Sequence, residues 1–145
     1  MDKKVPYFED IREGDETYCM VFPNITRTHI VRYAGASADF NPIHHDELYA
    51  IRAGNDRVFA MGMMTAGILS HMIIDWVGDE NLRKYKVRFF TRIWPGDTVT
   101  CKGKILRKNS KGGENCIQAQ VYAENQEGQK AVVDTILAEF PSKKR

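Results

Sequence analysis

Residues 58–78 read VFAMGMMTAGILSHMIIDWVG, and the reading of this stretch decides the fold. It is long enough and nearly apolar enough to pass for a membrane span. Yet it contains His71, Asp75 and several small residues, and ionisable groups are costly in lipid. The better reading is a buried helix from Gly62 to Val77, apolar almost all round and therefore central, with Gly78 as its C-terminal stop.

Downstream of the helix the chain takes on a period of two. Tyr85, Val87, Phe89, Thr91 and Ile93 alternate with Lys86, Arg88 and Arg92. Val99, Cys101 and Ile105 alternate with Thr100, Lys102 and Lys104; Ile117, Ala119, Val121 and Ala123 alternate with Gln118, Gln120 and Tyr122; Ala131 to Glu139 closes the series. The turns between them, Trp94–Asp97, Asn109–Gly113 and Asn125–Gly128, are short, so neighbouring strands run antiparallel. One apolar helix and a meander with one apolar face have a simple joint solution: an α+β fold in which a curved antiparallel sheet wraps the long central helix. Upstream, Glu16 to Ile25 reads as a further strand. Thr28 is positioned to cap a short helix over His29 to Ser37, and Asp46 a second one ending near Gly54. Asn41-Pro42 separates the two, because the residue before proline is pushed towards extended geometry.

Composition sets the frame. The chain of 145 residues fits one domain, residues 1–145, and is large enough to stand on its own core. With a net charge of +2 and acids and bases interspersed, there is no basic face of the kind a nucleic-acid binder shows; the one basic run, Lys143-Lys144-Arg145, reads as a solvated terminus. The three cysteines are odd in number and lack metal-ligand spacing. Cys101 and Cys116 fall on strands as reduced core thiols, which points to the cytoplasm, and the first residues hold no apolar signal segment. No metal site, GxGxxG or P-loop is present, so no cofactor is expected.

The chemistry concentrates in residues 37–48, SADFNPIHHDEL. Asp39 and His44 are five residues apart across Pro42, so only a tight loop can bring them together. A carboxylate beside an imidazole holds and activates a water, and Asn41 suits the bracing of such a loop. On spacing alone two readings stand open: a water-handling pair, or turn-forming Asp39 and Asn41 beside a surface His44. His45 reads as a solvated neighbour, Asp46 as a helix cap, His71 as a satisfied core or interface histidine, and His29 as exposed near a helix start. Met61, Met63, Met64 and Met72 read first as core filler, although methionines also suit an adaptable acyl pocket.

A wider pattern weighs between the two readings. Tyr33 to Ala50, YAGASADFNPIHHDELYA, resembles the signature of the MaoC-like dehydratases, also called hydratase 2 or R-specific enoyl-CoA hydratases: an aromatic, then Ser-Gly-Asp-x-Asn-Pro-aliphatic-His, then a small residue. The resemblance continues in Ala60-Met61-Gly62-Met63 at the helix start and in VRFFTRIWPGD, Val87 to Asp97. It runs from about Tyr33 to Lys104 and includes single-domain bacterial members such as subunits of mycobacterial-type (R)-hydroxyacyl dehydratases.

The resemblance implies a hotdog fold and interconversion of trans-2-enoyl thioesters with (R)-3-hydroxyacyl thioesters, in fatty-acid or related acyl metabolism. By the same resemblance Asp39 and His44 are catalytic and exchange the protons, and the Gly62 N–H at the helix start receives the thioester oxygen, where the helix dipole favours developing negative charge. A packing role for Gly62 is the competing reading. Asn41, Met61 and Met63 flank these groups as the expected substrate-binding residues. The implied partners are an acyl-CoA or acyl-carrier-protein thioester and a second hotdog chain, as a homodimer, a higher oligomer or a hetero-oligomer; no nucleic acid or membrane is implied. Two departures stand out: Ala38 where the family has glycine before the aspartate, and Met61 where it has histidine. They keep a non-catalytic acyl-binding subunit in play. A thioesterase of the same fold is disfavoured, because such enzymes lack the Asp-x-Asn-Pro-x-His loop.

Overall fold

The structure, a computed structural model, describes residues 5–143; Lys144 and Arg145 of the basic terminus lie outside the described residues. Three helices are α1 (Arg27–Ser37), α2 (Glu47–Arg52) and α3 (Gly62–Val77). Six strands are β1 (Met20–Phe22), β2 (Leu82–Tyr85), β3 (Arg88–Phe89), β4 (Val99–Lys111), β5 (Glu114–Glu124) and β6 (Lys130–Glu139). They form one antiparallel sheet in the order β1-β4-β5-β6-β2, with β3 also on β6. This is a hotdog: the sheet curls round α3.

The expected α3 boundaries hold at both ends, and Gly78, at φ 81°, ends the helix with its N–H on Ile74 O at 2.8 Å. Leu69, Met72, Ile73 and Val77 are fully buried. Opposite them the alternation of β5 does as its pattern predicts, with Ile117, Ala119, Val121 and Ala123 all turned into the core. At Gly103 on β4 a Cβ would stand 2.2 Å from Gln120 O, so only glycine allows the two strands to approach this closely while the sheet bends. Tyr85 donates from its hydroxyl to Ala66 O at 3.0 Å, tying the sheet to α3. Burial raises the Tyr85 hydroxyl above its ordinary pKa, and likewise pushes the Cys101 thiol up to about 12.

Four expectations are corrected. α3 is not covered all round: Met63, Gly67 and His71 form an exposed stripe one turn apart. His71 is therefore no core residue; its Nε2 lies 3.7 Å from Asp75 Oδ1 on the next turn. The strand read over Glu16–Ile25 shrinks to β1 plus a single bridge from Glu16 to Lys104, since Pro23 has no N–H to give and Asn24 takes φ 49°. The strand read over residues 85–93 divides into β2 and β3, and Phe89, read as part of the inward face, is 50% exposed, with its neighbour Phe90 at 67%. Beyond Phe90 the chain leaves β6, and Ile93 O accepts instead from Ala60 N, at 2.8 Å, beside the start of α3.

The fourth correction concerns α1, which begins two residues earlier than expected. Thr26, not Thr28, is its cap: Thr26 Oγ1 accepts from His29 N and Thr26 N donates to His29 Nδ1, both at 3.1 Å. That reciprocal box, and an edge contact with Phe22 at 5.2 Å, leave His29 half-buried rather than exposed. The expected cap of α2 stands: Asp46 accepts from Tyr49 N at 3.0 Å. Among the described residues no helix is long and apolar enough to cross a membrane.

Candidate active site

The loop between α1 and α2 opens with a strained residue. Ala38 comes directly after the last residue of α1 at φ 57°, ψ 24°, in the left-handed region where glycine is the ordinary occupant. This reversal turns the chain out of the helix and into Asp39. Asn41 then braces the loop: its N–H donates to Asp39 Oδ1 at 3.3 Å, and its Oδ1 accepts from Ile43 N at 3.2 Å. Pro42–His44 forms a single 3-10 turn. The Asn41 Oδ1 is thus spent on the loop itself.

That turn drives His44 inward. The residue is 7% exposed, and its ring meets Phe59 edge to face at 4.9 Å. Nδ1 lies 2.7 Å from Phe59 O. A carbonyl only accepts, so Nδ1 carries a proton, and it is Nε2 that bears the lone pair whenever the ring is neutral. Nε2 faces Asp39 Oδ2 at 4.0 Å. This is too long for a direct hydrogen bond but matches a gap that one water or hydroxyl oxygen bridges. Asp39 is 44% exposed at its side chain, so the pair has one wall inside the protein and one open to an incoming molecule. His45 stays outside: its Nε2 lies 3.3 Å from Phe40 O and the residue is exposed.

Phe59 links this pair to a cleft of about 290 Å³ whose walls include Phe59, Gly62, Thr65, Phe89, Ile93 and Val132. Gly62 is the first residue of α3, and no side chain caps that terminus; the first N–H groups of a helix have no intrahelical partner. The N-terminus of the buried helix therefore points its dipole at the cleft. A Cβ on Gly62 would stand 2.9 Å from Phe89 Cδ1 and 3.0 Å from Cε1. A side chain at residue 62 would thus force the half-exposed Phe89 ring to shift, so packing is a reason for glycine here alongside any close approach of a ligand.

The sequence-derived site residues divide accordingly. Asp39 and His44 come together, with Gly62 across Phe59 on the cleft. Met61 is 2% exposed, and its side chain packs in the core rather than on the cleft wall. Met63 lies on the exposed stripe of α3. Sequence reasoning missed Phe59, whose carbonyl sets the imidazole tautomer, and Thr65 and Phe89 on the cleft. A backbone carbonyl leaves no mark in a side-chain pattern, so nothing in the sequence marks Phe59. Among the described residues no group of histidine, cysteine and carboxylate side chains is arranged to hold a metal.

The chain is similar to several known proteins. The β subunit of 3-oxo-4,17-pregnadiene-20-carboxyl-CoA hydratase from Mycobacterium tuberculosis is 31% identical over 83 residues, covering 57% of this chain and 64% of that one. An (R)-specific enoyl-CoA hydratase from Rhodospirillum rubrum is 37% identical over 67 residues, 46% of this chain and 45% of that one. The aligned regions thus span less than two-thirds of either relative's length. An R-hydratase structure from Pseudomonas aeruginosa superposes with a TM-score of 0.79 at 21% identity, over 94% of this chain and 86% of that one, a likeness of fold. The MaoC-like domain model matches residues 16–127, the span that carries the loop, the helix start and most of the sheet, and the chain belongs to the MaoC-like domain family.

Proposed function

We propose that this protein is a hydratase/dehydratase that interconverts trans-2-enoyl thioesters and (R)-3-hydroxyacyl thioesters. One observation carries the reading: with its Nδ1 proton held by Phe59 O, His44 turns the Nε2 lone pair towards the Asp39 carboxylate across a 4.0 Å gap. In hydration, the oxygen of a water held in that gap bonds to the β-carbon as the pair takes one of its protons. The α-carbon then receives a proton from the pair, and the double bond is consumed. Negative charge develops meanwhile on the thioester carbonyl oxygen. The Gly62 N–H, preorganised at the start of α3, is placed to meet it without reorganisation. Dehydration is the reverse.

The same reading includes a partner. The outer side of β2 and β3 is a sheet edge, with Phe89 and Phe90 exposed beside it. A second hotdog chain along this edge buries both rings and completes the cleft, as a homodimer or with a different subunit. The Mycobacterium relative is named as a β subunit, which favours keeping the mixed assembly in view. A chain that holds the Asp39–His44 pair is then the catalytic one. We place the protein in the cytoplasm, a setting that suits three free cysteines. Purified protein given crotonyl-CoA is expected to consume the enoyl absorbance and yield the (R)-alcohol on chiral analysis. Thioester binding without turnover, alone or with a partner hotdog chain, overturns the catalytic reading in favour of an acyl-binding subunit. Release of free CoA instead makes it a thioesterase.

A further inference from the structure

The hydration chemistry leaves one buried hydroxyl unused. Thr65 lies one turn into α3 from Gly62, is 3% exposed, and forms part of the cleft wall. A hydroxyl inside a helix ordinarily bonds back to a carbonyl three or four residues earlier. This chain does so elsewhere: Ser37 Oγ donates to Tyr33 O at 2.7 Å, and Ser70 Oγ to Gly67 O at 2.8 Å. Thr17, the other buried threonine, donates to Tyr18 O at 3.0 Å. Thr65 departs from the habit. The carbonyl four residues back is Met61 O, which already accepts from Met64 N at 3.0 Å and from Thr65 N at 3.2 Å. Among the described residues the Thr65 hydroxyl has no hydrogen-bond partner. Yet none of their fully enclosed side-chain oxygens or nitrogens lacks one. The hydroxyl oxygen therefore reaches open space, and the space that Thr65 lines is the cleft.

A buried hydroxyl without a protein partner is destabilising, and valine would fill the same shape without that penalty. A threonine here points to a polar atom that arrives from outside. Its neighbours say what kind. Phe59, Phe89, Ile93 and Val132 present apolar side chains to the cleft, while Thr91 and Arg92 are exposed at its rim. The start of α3 adds the Gly62 N–H and the positive end of the helix dipole. A hydroxyl and an N–H one turn apart on the same helix, both open to one cleft, are two donors for a single acceptor. They fit an oxygen on which negative charge develops.

We infer that the Thr65 hydroxyl is the second donor to the thioester carbonyl oxygen, beside the Gly62 N–H, and so a further catalytic residue. Thr65 keeps its proton throughout; the hydrogen bond strengthens as the oxygen gains charge. The catalytic half of the inference rests on the hydratase reading. The binding half, a hydroxyl donating to a thioester carbonyl, does not.

The test separates the two halves. Thr65→Val keeps the shape and removes the hydroxyl. It is expected to lower kcat for crotonyl-CoA about 10²-fold, the scale of one oxyanion-hole donor, with KM held within about twofold. Its Tm should stay level or rise, because no protein partner is lost. Thr65→Ser and Thr65→Ala repeat the comparison at equal loss of the methyl group, and only the serine should retain most of the activity. The readout that needs no turnover is the infrared carbonyl band of bound butyryl-CoA, a thioester with no double bond to hydrate. Donors to the oxygen weaken the C=O bond, so the band should lie lower on the wild type and Thr65→Ser than on Thr65→Val and Thr65→Ala. One band position in all four proteins overturns the assignment, as does unchanged kcat in Thr65→Val. A fall in Tm for Thr65→Val shows the hydroxyl bonded within the fold and also overturns it. A loss confined to KM with the band unmoved puts the hydroxyl on another part of the ligand, with the same consequence. A wild-type protein that binds butyryl-CoA with a Thr65-dependent band but turns over no crotonyl-CoA leaves the donor standing and sinks the hydratase reading alone.

Discussion

Replacing Ala38 by glycine should stabilise the protein, although glycine is ordinarily the destabilising residue near a helix. Ala38 sits at φ 57°, ψ 24°, where the Cβ crowds the following carbonyl oxygen and costs roughly 1–2 kcal/mol. Glycine removes that strain but adds conformational freedom to the unfolded chain, which costs back about 0.4–1 kcal/mol. The net expectation is a gain of about 0.5–1 kcal/mol, since the relief of strain exceeds the entropy term. An unfolding entropy of about 2.1 cal/mol/K per residue over 145 residues converts this gain into a rise in Tm of about 2–3 °C. Ala36→Gly is the matched control. It lies inside α1, exposed, two residues upstream, so the same chemical change there removes only helix propensity and should cost about 1 kcal/mol. Thermal melts monitored by circular dichroism, with urea midpoints as a second measure, read both. The opposite signs are the decisive feature. A fall in Tm for Ala38→Gly comparable to that of Ala36→Gly would refute the left-handed turn, and with it the account of how the chain is delivered to Asp39.

The same geometry sets further expectations. Asp39→Asn and His44→Ala should each lower hydratase kcat/KM by about 10²–10⁴ with the fold retained by circular dichroism, and near wild-type turnover in either would remove the pair from the mechanism. Gly62→Ala drives a Cβ into the Phe89 ring, and pairing it with Phe89→Ala decides between the roles of that glycine: recovered activity means packing alone, continued loss means that the substrate needs the bare backbone. Exposed Cys19 should react with a thiol reagent at pH 8, whereas Cys101, buried with its thiol raised to about 12, should react only on unfolding. In the unfolded chain that thiol ionises near about 8.5, so the unfolded state releases its proton first and stability should fall as pH rises from there towards 12. Cys101→Ala should flatten this fall, and an unchanged slope would rule the thiol out as its source.

Patterns reach furthest where one residue meets one repeating environment. α3 was legible to the residue because its apolar run is bounded by glycines, and β5 because every second side chain enters the core. The edge was not legible: Phe89 has the same place in the alternation as Val87, but its strand has a neighbour on one side only and departs at Phe90 to meet Ala60. Thr28 and Thr26 are equivalent as letters, and the capping box with His29 chose between them.

The sequence by itself determined the elements and the chemical candidates: a buried helix, a wrapping antiparallel sheet, and a proline-bent loop bearing Asp39 and His44. The elements come from periodicity and turn chemistry, and the choice of Asp39 and His44 from the resemblance to the MaoC-like signature; all of these are carried by local stretches of the chain. Tertiary structure alone decided which nitrogen of His44 is free and how the pair opens towards a ligand. It also decided that Met61 belongs to the core and that the Thr65 hydroxyl is left to the cleft. These outcomes depend on Phe59 and Phe89, which reach the loop and the helix start only after the chain has folded back on itself, and no spacing along the chain encodes a distance across it.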